Sequence, residues 1–278
     1  MMEIATNIGA AAAYAAVVLA FMLVARIVNR ILFRPGPQGP QGAGDGTNVA
    51  LALRHAGLYL AIAIAMTAVS RDAQRSFLPE LLLYLRDGAF VLAALIAAQK
   101  INDWCIVPGL NNDRAVAAGN TAVGLTEFGS SIATGLIASV SFSDGEATWM
   151  IVLVFFALGQ LALLLVFWVQ ELLLQGSFIE EVKHGSTGAG VTVAGVLIAF
   201  GIILRASIAG PFLGWQASLT GFAIFAAVGI VLLTIFQEVF NSVLVKRLPI
   251  EERYHNVATS TIVACGQIGL AIVISTLM

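Results

Sequence analysis

The chain has 278 residues, of which 59% are hydrophobic and 11% charged, and a formal net charge of −2. Apolar runs of about 20 residues, the length that crosses a bilayer core, recur along it and exclude a soluble globular domain. The 14 Lys and Arg are scattered, which argues against a nucleic-acid surface or a polybasic lipid patch.

Taken in chain order, the runs predict eight membrane helices near residues 6–33, 49–69, 79–107, 115–139, 147–174, 188–208, 215–245 and 256–278. The first starts after Glu3 with no cationic flank. Its stretch from Ile8 to Val24 reads as a retained spanning helix, not a cleaved signal peptide. Pro35 to Gly46 reads as a flexible linker. The expected architecture is all-α: a polytopic transmembrane bundle of eight helices built from four degenerate two-helix parallel repeats. The expected division is a first helix and linker over 1–47, then two membrane domains over 48–139 and 140–278.

Basic residues predict the orientation. The loops after the odd helices, with the adjoining helix ends, hold Arg26, Arg30, Arg34, Arg54, Lys100, Arg114, Lys183, Lys246, Arg247 and Arg253. The opposite side holds Arg71, Arg75, Arg86 and Arg205. The positive-inside rule then makes the first side cytoplasmic and puts both termini outside. Phe142, Trp149 and Trp215 fall near the outer ends, where amphipathic rings anchor.

The repeat is legible at several positions. Gln99-Lys100, Gln170-Glu171 and Gln237-Glu238 close helices 3, 5 and 7, and Ala25-Arg26 takes the matching place in helix 1. One turn later stand Asn29, Asp103, Leu174 and Asn241. Helices 2, 4 and 8 start at Asn48, Asn120 and Asn256, with Gly188 at that place in helix 6. A period of about 70 residues follows. Two helices return the chain to its starting side, so successive units share one orientation. Helix 4 carries Ser131, Gly135 and Ser139 at four-residue spacing, and helix 6 carries Ser186, Gly190 and Ala194. Such ladders let backbones approach, so the even helices are expected to form an inner layer. Cys105 and Cys265 are expected as buried free thiols.

Charges within the spans carry the functional signal. Glu127 lies two turns into helix 4 on one face with Asn120, Ser131 and Thr134. A carboxylate at membrane depth must be paired, hydrated or protonated. Either it belongs to a proton or ion relay, or it forms a structural pair with Arg54 or His55 at the equivalent level of helix 2. Arg26, Lys100, Asp103, Glu171, Glu238 and Asn241 form a second candidate set, a polar ring at the cytoplasmic end that lines a vestibule or pins the bundle. Neither a metal site nor a cofactor site is expected, and no catalytic motif is present, so the chain does not read as an enzyme.

The Asn48-Val-Ala and Asn256-Val-Ala helix starts, the Gly119-Asn120-x-Ala-x-Gly start of helix 4, the Gln-Glu pairs and the helix layout resemble the YjfL-like bacterial inner-membrane family, known as domain of unknown function 350, in two adjacent copies. The resemblance implies a multi-pass inner-membrane protein without established activity, some members being encoded near envelope-stress and ATP-grasp-type genes. Two readings follow. One is a membrane scaffold or envelope-stress component that works in the lipid bilayer through stress-protein partners or as a homo-oligomer. The alternative is a channel or transporter for protons or small cations that uses Glu127. An intramembrane enzyme acting on lipids has no visible nucleophile and base.

Overall fold

Polar residues punctuate the apolar runs in the computed structural model, which describes residues 2–32, 48–67, 69, 76–141, 149–173, 178–244 and 256–278, the side chains of 2–8, 173, 241 and 244 excepted. Asn48, Asn120 and Asn256 each turn a side-chain oxygen onto the turn that follows, accepting from Leu51, Val123 and both Ala258 and Thr259 backbone N–H groups. These bonds satisfy donors that a helix start leaves without partners. The helices are α1 (Met2–Leu32), α2 (Val49–Met66), α3 (Phe77–Cys105), α4 (Asn112–Ala117), α5 (Thr121–Ser141), α6 (Trp149–Leu173), α7 (Phe178–Lys183), α8 (Thr187–Ile208), α9 (Trp215–Leu244) and α10 (Val257–Ser275). Eight of them are long and apolar enough to span a membrane. The chain is a multi-pass helical membrane protein.

The short helices α4 and α7 depart from the sequence expectation, which ran helix 4 from residue 115 and treated 178–183 as loop. Both end alike. Gly119 (φ 87°) donates to Val116 O and Asn120 N to Ala115 O; Gly185 (φ 86°) donates to Val182 O and Ser186 N to Glu181 O. This two-bond closure requires a left-handed residue, which glycine adopts without a Cβ clash. The match aligns Ser186 with Asn120, and Ser186 is the N-cap of α8. Gly188 is therefore not the equivalent of the three asparagines; it lies two residues inside the helix.

Counting from these caps, one packing register recurs. The four capped helices run in one direction, with α2 along α5, α5 along α8 and α8 along α10. Position +9 is glycine in α2, α5 and α8, and meets position +8 of the next helix: Gly57 on Phe128, Gly129 on Ala194, Gly195 on Ala264. Gly124 and Gly190, at +4, meet Ala50 and Ala122, at +2; Gly135 and Gly201, at +15, meet Ala61 and Ala133, at +13. A Cβ at Gly124 would stand 2.7 Å from Ala50 Cα, and one at Gly201 2.7 Å from Ala133 Cα, so these backbones touch. Small residues permit this approach where lipid offers no hydrophobic drive for helices to associate.

The result is an open row. α2 and α10 stand at its two ends and do not pack along one another, while α1 and α3 flank α2, α6 flanks α8, and α9 lies against α8 and α10. Burial reaches 72% in the α5 span and 67% in the α8 span but only 28% in α10, below the 44% of α6. The expected inner layer is thus α5 and α8; α10 is exposed because a row has ends. Cys105 is half-buried and Cys265 exposed, both free, which corrects the expectation of buried thiols. Trp149 stacks on Phe90 at 4.3 Å with the Arg86 guanidinium over its ring, and Arg86 also pairs with Asp87. The linker Pro35 to Gly46, together with Arg34, Arg71, Arg75, Phe142, Leu174, Lys246, Arg247, Arg253 and His255, lies outside the described residues.

Candidate functional site

The site begins with α4, which sits under the ends of α3 and α5. Its N-cap Asn111 accepts from Arg114 N, and Asn112 donates to the Asp103 carbonyl at 3.2 Å, tying α4 to α3. Asn48 donates to Val116 O at 2.8 Å and so ties α4 to α2. Asn120 repeats that bond one unit on, donating to Val182 O at 3.1 Å and fastening α7. Asn120, expected beside Glu127 in a polar site, is therefore a cap and a staple. On the outer face of α7, the exposed Glu180 is held below its ordinary value of 4.5 by the hydrogen bond from Lys183 and that residue's charge.

These ties place Asp113 of α4 against Arg54 of α2. Arg54 points its fork at Glu127, with Nε and Nη2 donating to the two carboxylate oxygens (Nη2 to Oε1 2.6 Å), while Nη1 donates to Asp113 at 3.0 Å. Arg54 and Glu127 are 3% and 2% exposed. Glu127 lies about 9 Å along α5 from its start, by the rise of an α-helix. The expected alternative partner, His55, instead stacks on Tyr59 at 6.1 Å.

Asp103 and Lys100, assigned from sequence to a cytoplasmic ring, belong to this cluster. Lys100 approaches Asp113 at 3.6 Å, and Asp103 is 6% exposed with its Oδ2 lacking a hydrogen-bond partner among the described residues. Asp103 and Asp113 line a cleft of 310 Å³ with Lys100, Trp104 and the 109–112 turn. Three carboxyl groups thus face one buried guanidinium and one half-exposed ammonium. With all five ionised the cluster holds one negative charge in excess, which burial makes expensive.

The other ring candidates lie elsewhere. Arg26 and Glu238 are exposed on α1 and α9, and Glu171 at the end of α6 accepts from Ile179 N at the start of α7. The Asn241 side chain lies outside the described residues. What recurs inward is the neighbouring glutamine: Gln99, Gln170 and Gln237 are all buried, and Gln170 donates to Thr234 at 3.2 Å. An open row gives these units no common axis to surround.

From the cluster, polar groups continue inward. Asn102 donates to Thr134 at 3.2 Å, and Thr134 Oγ1 lies 3.2 Å from Gln160 Oε1 near the middle of α6. Ser131 Oγ and Gln160 Nε2 are buried without partners among the described residues. Past Gln160, Ile137 and Ile208 close on Gly159, and further on Arg205 donates to the buried Ser139 at 3.0 Å. On the other side of these isoleucines a cavity of 210 Å³, lined by Ser141, Ser207 and Ile208, opens at the opposite end of the bundle. Sequence reasoning missed Asp113 and Gln160; Asp113 lay in an apparent loop, and Gln160 in a run otherwise apolar. Among the described residues no group of three or more His, Cys, Asp or Glu is placed to hold a metal ion.

Eight described helices long and apolar enough to span a bilayer, with a buried charge cluster where α2, α3 and α5 meet α4, define a polytopic membrane protein. The chain belongs to the family described as Domain of Unknown Function (DUF350), whose model matches residues 3–142 and 146–278. Each match takes in four of the spanning helices. The chain is also similar to a UPF0719 transmembrane protein of Aquifex aeolicus (strain VF5), 24% identical over 267 residues that cover 92% of this chain and 97% of that one. No solved structure matches it.

Proposed function

We propose that this protein carries a proton or small cation across a bacterial inner membrane through the column that starts at the Asp103 cleft. The carrying observation is the charge count: among the described residues Asp103, Asp113 and Glu127 face only Arg54 and Lys100, and Asp103 Oδ2 has no donor there. A proton or a monovalent cation at Asp103 balances the cluster without a third basic side chain. Arg54 holds Glu127 and Asp113 in place, and the Asn102, Thr134 and Gln160 groups offer the next relay positions. Ile137 and Ile208 are the gate between the two cavities. The distribution of basic residues supports a cytoplasmic position for the α4 and α7 side, with both termini outside. No reaction chemistry is assigned to the cluster; the protein is not an enzyme on this reading.

A second reading, a membrane scaffold that works through further copies or envelope-stress partners, is favoured by the uncovered small-residue faces at the ends of the row. Flux into dye-loaded liposomes separates the two. Wild-type protein is expected to move protons or Na⁺, and Glu127→Gln and Asp103→Asn to lose that flux after equal insertion. Equal flux in all three would remove the cluster from the pathway, and none from the wild type would leave the scaffold.

A further inference from the structure

The row ends where its register still has something to offer. At the α2–α5 and α5–α8 interfaces one helix presents positions +2, +9 and +13 and the next presents +4, +8 and +15, and α8 meets α10 at +9 on +8. α5 and α8 have both faces covered. Among the described residues no helix packs on the far side of α10, and its +2, +9 and +13 residues, Ala258, Cys265 and Gly269, are all exposed. Among the described residues no capped helix packs on the far side of α2, and its +4, +8 and +15 residues, Ala52, Ala56 and Ala63, are exposed or half-exposed. A Cβ at Gly269 would meet nothing within 4 Å.

Faces that meet lipid elsewhere in this chain are bulky. On α6 the outward residues include Leu161, Leu165 and Leu172, and on α9 Val228, Val231 and Ile235. The two row ends instead combine Ala, Cys and Gly at the contact offsets with Leu60 on one side and Ile262 and Ile272 on the other. Small contact residues rimmed by larger ones are what helix-on-helix packing in a membrane uses.

We propose that a second copy of this chain docks its α2 on the α10 of the first, in parallel and in the register of the interior interfaces. Ala52 then meets Ala258, Cys265 meets Ala56, and Ala63 meets Gly269. The contact is head-to-tail, so each added copy leaves the same two faces free until a ring closes. Both copies keep the same orientation in the bilayer, as the interior units do. The junction is wider than the interior crossings because Cys265 stands where α2, α5 and α8 have glycine. This inference rests on the register alone and does not depend on the transport reading.

The register names its own cross-link. Positions +9 and +8 are a point of closest backbone approach, and a disulfide needs Cβ atoms about 3.5–4.5 Å apart. In native membranes, with Cys105→Ala in all variants, Ala56→Cys together with the natural Cys265 is expected to give an oxidative ladder of dimers and larger species. Cys265 alone gives none, and Leu60→Cys, one turn off register, much less. Gly269→Trp, which fills the junction without touching the interior row, should abolish the Ala56→Cys ladder and reduce the size of the otherwise unaltered protein in single-molecule photobleaching. A Cys265 to Cys265 dimer in the protein without Ala56→Cys would overturn the head-to-tail arrangement. Absence of cross-linking in the folded Ala56→Cys protein, or equal cross-linking by Leu60→Cys, would overturn the register.

Discussion

Gly135→Ala tests the backbone contact that holds α2 to α5. The added methyl would lie 2.6 Å from Ala61 Cα and 2.8 Å from Ala61 O, atoms that no rotamer change can move. Carbon atoms sit comfortably at about 3.5–4.0 Å, so the helices must part by about 1 Å, a gap that forfeits a quarter to a half of each dispersion well along the crossing. Overpacking of this kind costs about 1–3 kcal/mol. Replacing glycine by alanine within a helix returns up to about 1 kcal/mol of propensity. A net loss of roughly 1–2 kcal/mol is expected. Gly221→Ala isolates the propensity term, because a Cβ there meets nothing within 4 Å. The two variants should differ by about 2 kcal/mol, roughly thirtyfold in the unfolding constant, measured by steric trapping in bicelles. Equal stability of Gly135→Ala and Gly221→Ala would refute the close-contact argument.

Removing Arg54 alone as Arg54→Met leaves the buried Glu127 without its cation and should cost about 3–5 kcal/mol in the same assay. Adding Glu127→Met should recover part of that loss; losses that simply add would show the pair is not coupled. Glu180 contributes to folded-state stability above its ordinary value of 4.5 and loses that contribution as pH falls through its lower folded value, because Lys183 favours the carboxylate. Lys183→Gln should return its midpoint to about 4.5, read by carboxyl-carbon NMR in micelles; an unchanged midpoint would mean the ion pair is not formed.

The spans were legible because bilayer thickness sets their length and apolar side chains must fill it. The pairing of Arg54 with Glu127 was legible because the two lie at nearly the same distance from Asn48 and Asn120. α4 and α7 were not, since six residues are too few to show a helical period; the two Gly-capped turns at Gly119 and Gly185 were the available signal. Misreading the second of these placed the third cap at Gly188 instead of Ser186. The ring of Arg26, Lys100, Asp103, Glu171, Glu238 and Asn241 rested on equal spacing, and a sequence period fixes the repeating unit without fixing its symmetry. Asp103 consequently joined Arg54 and Glu127, whereas Glu171 reached α7 and Glu238 faced outward. Cys265 is exposed for the same reason: it occupies the place that glycine holds at interior interfaces, on the helix where the row stops.

The most direct test of the central claim is the infrared signature of a protonated, deuterium-exchangeable carboxyl group in reconstituted membranes. Spectra of the wild type and Asp103→Asn are compared in cation-free buffer and again with Na⁺ or K⁺ added. An exchangeable carboxyl band in the wild type that falls as pH or cation concentration rises, and is missing from Asp103→Asn, is what the uneven charge count predicts. Identical spectra from the two proteins across pH and salt would contradict it.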